Sequence, residues 1–381
     1  METLQKPLSH RRISLSLYFF FYGLSYASWA SRIPSIQQSL HLSEAQLGAV
    51  LLGMPVGSFL TLPLSGYLTA RMGSRSVVMF ASLLYSLMLA GVGFSQTIWQ
   101  LTLFLFLFGS FGNMMNISIN TQAIALEAMY NKRIISSFHG VWSIAGLAGA
   151  SLGTFLIGKM FPVKWHFFII AIIAFFMFLI NTVNLIHDHG EQKKGPAFSK
   201  PDKAFLSLGI IAFCSMMCQG AMFDWSGVYF KKVVLAPPEL IGAGYTAFMI
   251  SMTATRFITD WLTHHIGFKK VIIWCGIFTA TGLLIAVCFP YVLPSTIGLL
   301  LIGIGVSPVV PLVFSAAGKS KKFNPGVAIA AVSTLGFVGL LIGPPMIGFV
   351  AGATSLKISF VILSVIGLSV TFIASMLKKE V

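Results

Sequence analysis

The chain has 381 residues, 56% of them hydrophobic and only 9% charged, with 34 Phe and 36 Gly, a composition that excludes a soluble globular domain of this length. Its formal charge of +15 is scattered over many short breaks between apolar runs, with no Lys/Arg-rich face interleaved with aromatics, and this excludes a nucleic-acid binder. The solvent of this chain is lipid.

A helix needs about 20 apolar residues to cross the hydrocarbon core of a bilayer. Twelve such runs follow one another, near residues 14–37, 45–69, 76–95, 98–128, 137–159, 165–186, 204–230, 240–262, 270–289, 293–317, 326–351 and 356–377. The beginning imitates a signal peptide, with Arg11 and Arg12 before an apolar stretch and Ser28-Trp29-Ala30 as a small-x-small site. Even parity and the repeat described below favour a retained first helix. With the N-terminus inside, 19 of the 25 Lys and Arg fall on the inner breaks and 6 on the outer ones; a missing span would have scrambled this division. The expectation is an all-α, multi-pass protein of the cell membrane (the inner membrane in a Gram-negative cell), both termini cytoplasmic.

The one long polar stretch begins at His187-Asp188-His189 and runs on to Lys203. It divides the chain into an N-terminal six-helix half, residues 1–190, a cytoplasmic linker, 191–203, and a C-terminal six-helix half, 204–381. A pattern recurs on its two sides: Leu68, Gly73 and Arg75 are matched by Leu262, Gly267 and Lys269, each pair separated by 194 residues. Two pseudo-symmetric halves would place a substrate site at their interface near the bilayer midplane and give alternating access by rocking.

The loop Gly66-Tyr-Leu-Thr-Ala-Arg-Met-Gly-Ser-Arg75 resembles the loop between the second and third helices of the major facilitator superfamily, Gly-x-Leu-x-Asp-Arg-x-Gly-Arg-Lys, with Gly66, Leu68, Arg71, Gly73 and Arg75 matching. Ala70 stands where the family has an acid. The second copy keeps an acid at Asp260, with Arg256 one turn earlier. The resemblance implies that Arg71, Arg75, Arg256 and Asp260 form the conformational latch. Trp29-Ala-Ser-Arg-Ile-Pro34, Asn116-Ile-Ser-Ile-Asn120, Phe138-His-Gly-Val-Trp-Ser143, Asp224-Trp-Ser-Gly-Val-Tyr229 and Gly343-Pro-Pro-Met-Ile-Gly348 are similar to the fucose-permease-like branch. That branch usually carries a proton-coupling acid where this chain has Asn116. An amide cannot bind and release a proton in the physiological range, so coupling has to move elsewhere or be absent.

Polar groups at membrane depth need a partner or a purpose, since a charge there costs about 3 kcal/mol on insertion scales. In the fourth span, Asn113, Asn116, Asn120 and Glu127 fall on one stripe about 60° wide at 100° per residue. Substrate contact is favoured over interhelical glue for Asn116 and Asn120. Glu127, near the inner loop, reads as an ion-pair partner of Arg71, Lys132 or Arg133 closing the cytoplasmic side, with proton carrying as the alternative. Asp224, about 10 Å inside the outer boundary, lies near Arg32 under the 194-residue offset. An Arg32–Asp224 contact that forms when the outside closes, a constitutive pair, and a proton-carrying Asp224 all remain open.

Tyr26, Trp29, Trp142 and Gln219 complete the expected substrate-binding set, with His139 beside Trp142 as a further coupling candidate. Cys214, Cys218, Cys275 and Cys288 read as packing residues, and no metal or cofactor is expected. There is no His-Glu-x-x-His, so an intramembrane enzyme does not fit, and no nucleotide-binding Gly-x-x-x-x-Gly-Lys loop, so ATP-driven transport would require a separate partner. The resulting expectation is a monomeric secondary transporter that takes up a small polar, sugar-like solute with protons. Export of apolar or drug-like compounds by proton antiport is the alternative.

Overall fold

The computed structural model describes residues 7–130, 134–187, 203–318 and 325–377, and every regular element among them is helical. In chain order these are α1 (Leu8–Ser39), α2 (Glu44–Leu51), α3 (Gly53–Leu60), α4 (Leu62–Met72), α5 (Ser74–Phe94), α6 (Ile98–Tyr130), α7 (Ile135–Gly158), α8 (Val163–Asn181), α9 (Lys203–Lys232), α10 (Ala243–Ile266), α11 (Phe268–Cys288), α12 (Val292–Val306), α13 (Val309–Gly318), α14 (Pro325–Ala353) and α15 (Leu356–Met376). Each expected span has its helix, but two are broken. The second is interrupted at Leu52 and Thr61, the tenth at Ser307-Pro308. Prolines explain the breaks: Pro55, Pro63, Pro308 and Pro311 lack the N–H that an uninterrupted ladder needs. Pro63 is tolerated in the first turn of α4, where that N–H would be unused.

Among the described residues, nine spans are long and apolar enough to cross a membrane, α12 and α13 together counting as one, and α2–α3 with α4, bent by 40°, make a tenth. α1 and α10 have the length, at 32 and 24 residues, but are diluted by polar side chains such as Ser25, Ser28 and Arg32 in one and Thr253, Thr255 and Arg256 in the other.

The 194-residue offset runs through the architecture. α5 and α11 are both 21 residues long, and each begins and ends at equivalent positions under that shift. The glycine before each is in the same unusual conformation: Gly73 at φ 80°, ψ 149° and Gly267 at φ 86°, ψ 150°. That region is essentially closed to residues with a Cβ. At Gly267 a methyl group would meet nothing within 4 Å, so Gly267→Ala isolates the backbone term. It should destabilise the protein by about 1–3 kcal/mol, read as a fall in thermal midpoint without loss of helical signal.

The chain forms two compact units. Unit 1 comprises Met1–Arg32, Gly53–Leu156 and Met160–Lys194; unit 2 comprises Ile33–Leu52, Ile157–Lys159 and Gly195–Val381. In unit 1, α6 packs on α3 so closely that a Cβ on Gly57 would strike the Phe106 carbonyl and one on Gly109 the Met54 carbonyl. Tyr85 of α5 stacks on Phe108 of α6 at 4.2 Å. α1 lies on α8 through Tyr18, which donates to the Phe178 carbonyl at 2.7 Å, and through Ser14, which donates to Asn181 Oδ1 at 2.7 Å. In unit 2, Gly339 and Gly343 bring α14 against the backbone of Phe213 and Met217 in α9. The fully buried Trp225 donates its indole N–H to the Pro344 carbonyl at 2.9 Å. Cys214 and Cys218 are buried in the same packing, while Cys288 is exposed.

Candidate functional site

The amide stripe of α6 lies at the edge of that helix's buried face, with Asn113, Asn116 and Asn120 each half-buried. Asn113 donates to Ser65 Oγ of α4 at 3.1 Å, and Asn120 donates to the carbonyl and side-chain oxygens of Asn116 at 2.8 and 3.0 Å. Asn113 therefore ties α6 to α4, whereas Asn116 and Asn120 form a small amide platform on one helix. Gln122 is structural: buried, it holds Ser74 Oγ and both backbone groups of Ile186 at 2.7–2.8 Å.

Glu127, on the same stripe, accepts the backbone N–H groups of Ile134 and Ile135 at 2.7 and 3.0 Å and so caps the start of α7 from a neighbouring helix. Lys132 and Arg133, its expected partners, lie outside the described residues. Arg71 is exposed and donates to its neighbour Tyr67 Oη at 2.6 Å. Arg75 is half-buried in the first turn of α5 and Arg256 is half-buried midway along α10; the Asp260 side chain lies outside the described residues, as does the linker up to residue 202. His139 is exposed and meets Phe19 edge-on at 5.5 Å, while Trp142 and Tyr26 are half-buried.

Sharper features appear at the outer end of α1. Trp29 and Arg32 are 1% and 3% exposed. The indole N–H of Trp29 and the guanidinium Nε and Nη1 of Arg32 have no hydrogen-bond partner among the described residues. Arg32 Nη2 donates to the Phe161 carbonyl. In unit 2, Asp224 of α9 is buried with Oδ1 likewise unpartnered, and near it the buried phenol of Tyr245 on α10 also lacks a partner among those residues. Gln219 sits half-buried earlier on α9.

Unit 2 also contains a seam between distant stretches of sequence. Residues 33–52, joined through the chain to unit 1 at both ends, pack on α9 and α14. Glu44 at the start of α2 pairs with Lys232 at 2.6 Å, and Lys231 donates to the Pro34 carbonyl at 3.3 Å and to Gln38. Ser43 and Gln46 close a capping box that fixes the start of α2. Where α2 crosses α14, a Cβ on Gly48 would stand 2.9 Å from Gly348 Cα. Because the Glu44–Lys232 pair is partly exposed, Glu44→Gln should shift the thermal midpoint by no more than about 2 °C, in contrast to the glycine crossing beneath it.

The Major Facilitator Superfamily profile matches residues 15–238 and 234–380, nearly the whole chain. The chain belongs to the Major Facilitator Superfamily. It is similar to an uncharacterized MFS-type transporter of Yersinia pestis, 31% identical over 355 residues, covering 93% of this chain and 92% of that protein. It is also similar to the membrane protein MosC of Rhizobium meliloti, 29% identical over 370 residues, covering 94% and 88%. In three dimensions it resembles the crystal structure of the nucleoside transporter NupG, with a TM-score of 0.75 at 14% identity over 96% of this chain and 98% of the other, a likeness of fold alone. This superfamily member is a multi-pass membrane transporter and not an enzyme. Gly73 and Gly267, 194 residues apart, share a backbone conformation that explains why glycine is needed in both loops. Tyr245 and the Gly48–Gly348 crossing have no signature in the sequence, and His166 stands there as an isolated histidine. Gly48 and Gly348 are 300 residues apart, and no local signal pairs them.

Proposed function

We propose that this superfamily transporter takes up a small polar, hydroxyl-bearing organic solute, sugar-like in size, by alternating access coupled to protons. The observation that carries the solute class is the Asn116–Asn120 platform: two adjacent amides at membrane depth, one holding the other in place, retain donor and acceptor capacity for a hydroxylated solute. The NupG fold likeness is consistent with this, since a nucleoside is a small polar solute carrying a sugar. The resemblance to the fucose-permease-like branch points the same way. With Asn116 unable to titrate, Asp224 takes the proton-carrying role in this reading, and both termini lie on the cytoplasmic side.

A thermal-shift screen of purified protein against sugars, amino sugars, nucleosides and amphiphilic drugs tests the solute class. At least one hydroxylated solute should stabilise the protein saturably, and Asn120→Ala should weaken that effect about tenfold, the cost of one lost buried hydrogen bond. Stabilisation only by apolar compounds, indifferent to Asn116 and Asn120, would favour proton-driven export instead.

A further inference from the structure

Along α1, one stripe faces α8, and its polar groups are treated differently at its two ends. At the Leu8 end, Ser14 and Tyr18 are satisfied by Asn181, Thr182 and the Phe178 carbonyl. Positions 25, 28, 29 and 32 continue the same stripe, since steps of three, four and seven residues return to one helix face. There Ser25 Oγ, Ser28 Oγ, Trp29 Nε1 and two nitrogens of Arg32 are all buried without a hydrogen-bond partner among the described residues. His166, in the first turn of α8, is 2% exposed, has no partner on either ring nitrogen among those residues, and lies within reach of the Arg32 charge.

The chemistry of this cluster is one-sided. Arg32 and Trp29 can only donate, and neutral imidazole donates from one nitrogen in either tautomer. Among the described residues Arg32 has one hydrogen-bond acceptor, the Phe161 carbonyl. No counter-charge is close at hand within its own unit: the sole carboxylate among the described residues of unit 1 is Glu127. Glu127 caps the start of α7, whereas Phe161 follows its end, and the 24 residues of that helix put about 36 Å between the two. A buried guanidinium left without an anion is strongly disfavoured, and water-poor surroundings raise the cost of each unmade hydrogen bond.

We propose that Arg32, His166, Trp29 and Ser28 bind a small monovalent anion of the halide or carboxylate class. The anion completes the charge and hydrogen bonding of this end of unit 1. It is either a free ion from solution or the acid group of a transported solute. Hydroxylated solutes without a charge would not satisfy it, so the site is distinct from the amide platform on α6.

The test uses the purified full chain, with thermal midpoint measured in sodium chloride, sodium acetate and sodium HEPES at matched ionic strength. Chloride or acetate should stabilise the protein saturably over the bulky HEPES anion. Trp29→Phe, which keeps the ring and deletes the N–H, and Arg32→Gln should each weaken the apparent affinity about tenfold or more. Stabilisation by chloride alone identifies a free halide. Stabilisation by acetate and larger carboxylates, competing with chloride, identifies a solute's acid group. Equal midpoints in all three salts, or an anion effect that persists unchanged in Trp29→Phe, overturns the site even if Arg32→Gln fails to fold. The readout is binding and not flux, so its failure leaves the proposal of proton-coupled solute uptake standing.

Discussion

Replacing Asp224 by Asn is expected to abolish accumulation of solute against its gradient while leaving exchange of labelled for unlabelled solute intact. Asn has nearly the same size and shape, so the packing of α9 is preserved, but it cannot carry a proton at any accessible pH. The carboxylate is buried on α9, its Oδ1 is unpartnered among the described residues, and the phenol beside it on α10 is equally unengaged. With Asn at position 116, the acid usual in the resembled branch is absent. An inward gradient of one pH unit can support about tenfold accumulation per proton carried. The wild-type protein in proteoliposomes should approach that ratio, and Asp224→Asn should equilibrate without concentrating. A variant that concentrates solute as well as the wild type would remove Asp224 from the coupling step.

The Gly48–Gly348 crossing carries the second large effect. Leucine at Gly348 would press against Gly48 Cα at 2.5 Å and the Glu44 carbonyl at 2.7 Å, backbone atoms that cannot swing aside as a side chain would. Overpacking of this kind costs about 1–3 kcal/mol, enough to shift a closing equilibrium by about 5- to 150-fold. Ala45, which faces Gly352 across the same seam, is a convenient reporter. In a Cys288→Ser background, with the other three thiols buried, a cysteine replacing Ala45 should react with a hydrophilic maleimide at least fivefold faster once Gly348→Leu is present. Unchanged labelling would mean that the seam tolerates the added bulk and does not limit opening.

Apolar run length made the all-helical, multi-pass architecture legible, because lipid imposes that constraint along the whole chain. The duplication was equally legible. The offset read from Leu68, Gly73 and Arg75 places α11 at the residues where it is found, and the two loop glycines share an almost identical conformation. The breaks at Leu52, Thr61 and Ser307-Pro308 were not, since hydropathy is insensitive to a missing N–H and single prolines are often carried within a helix, as Pro34 is in α1. Glu127 illustrates another limit: its carboxylate caps the first turn of a helix that begins eight residues later, a role that depends on how α6 ends and that no local pattern announces. The importance of His166 was hidden for the same reason. As a lone histidine in sequence it carries no signal, and only the packing of α1 on α8 brings it near Arg32.

Concentrative transport of a small polar solute is measured by proteoliposome uptake under an imposed pH gradient. Using the solutes that stabilise the purified protein, an inside-alkaline gradient should drive saturable uptake that overshoots equilibrium and collapses when a protonophore is added. Uptake of those solutes that only equilibrates, with or without the gradient, would contradict proton coupling; a gradient that instead expels apolar compounds would contradict both the direction and the cargo.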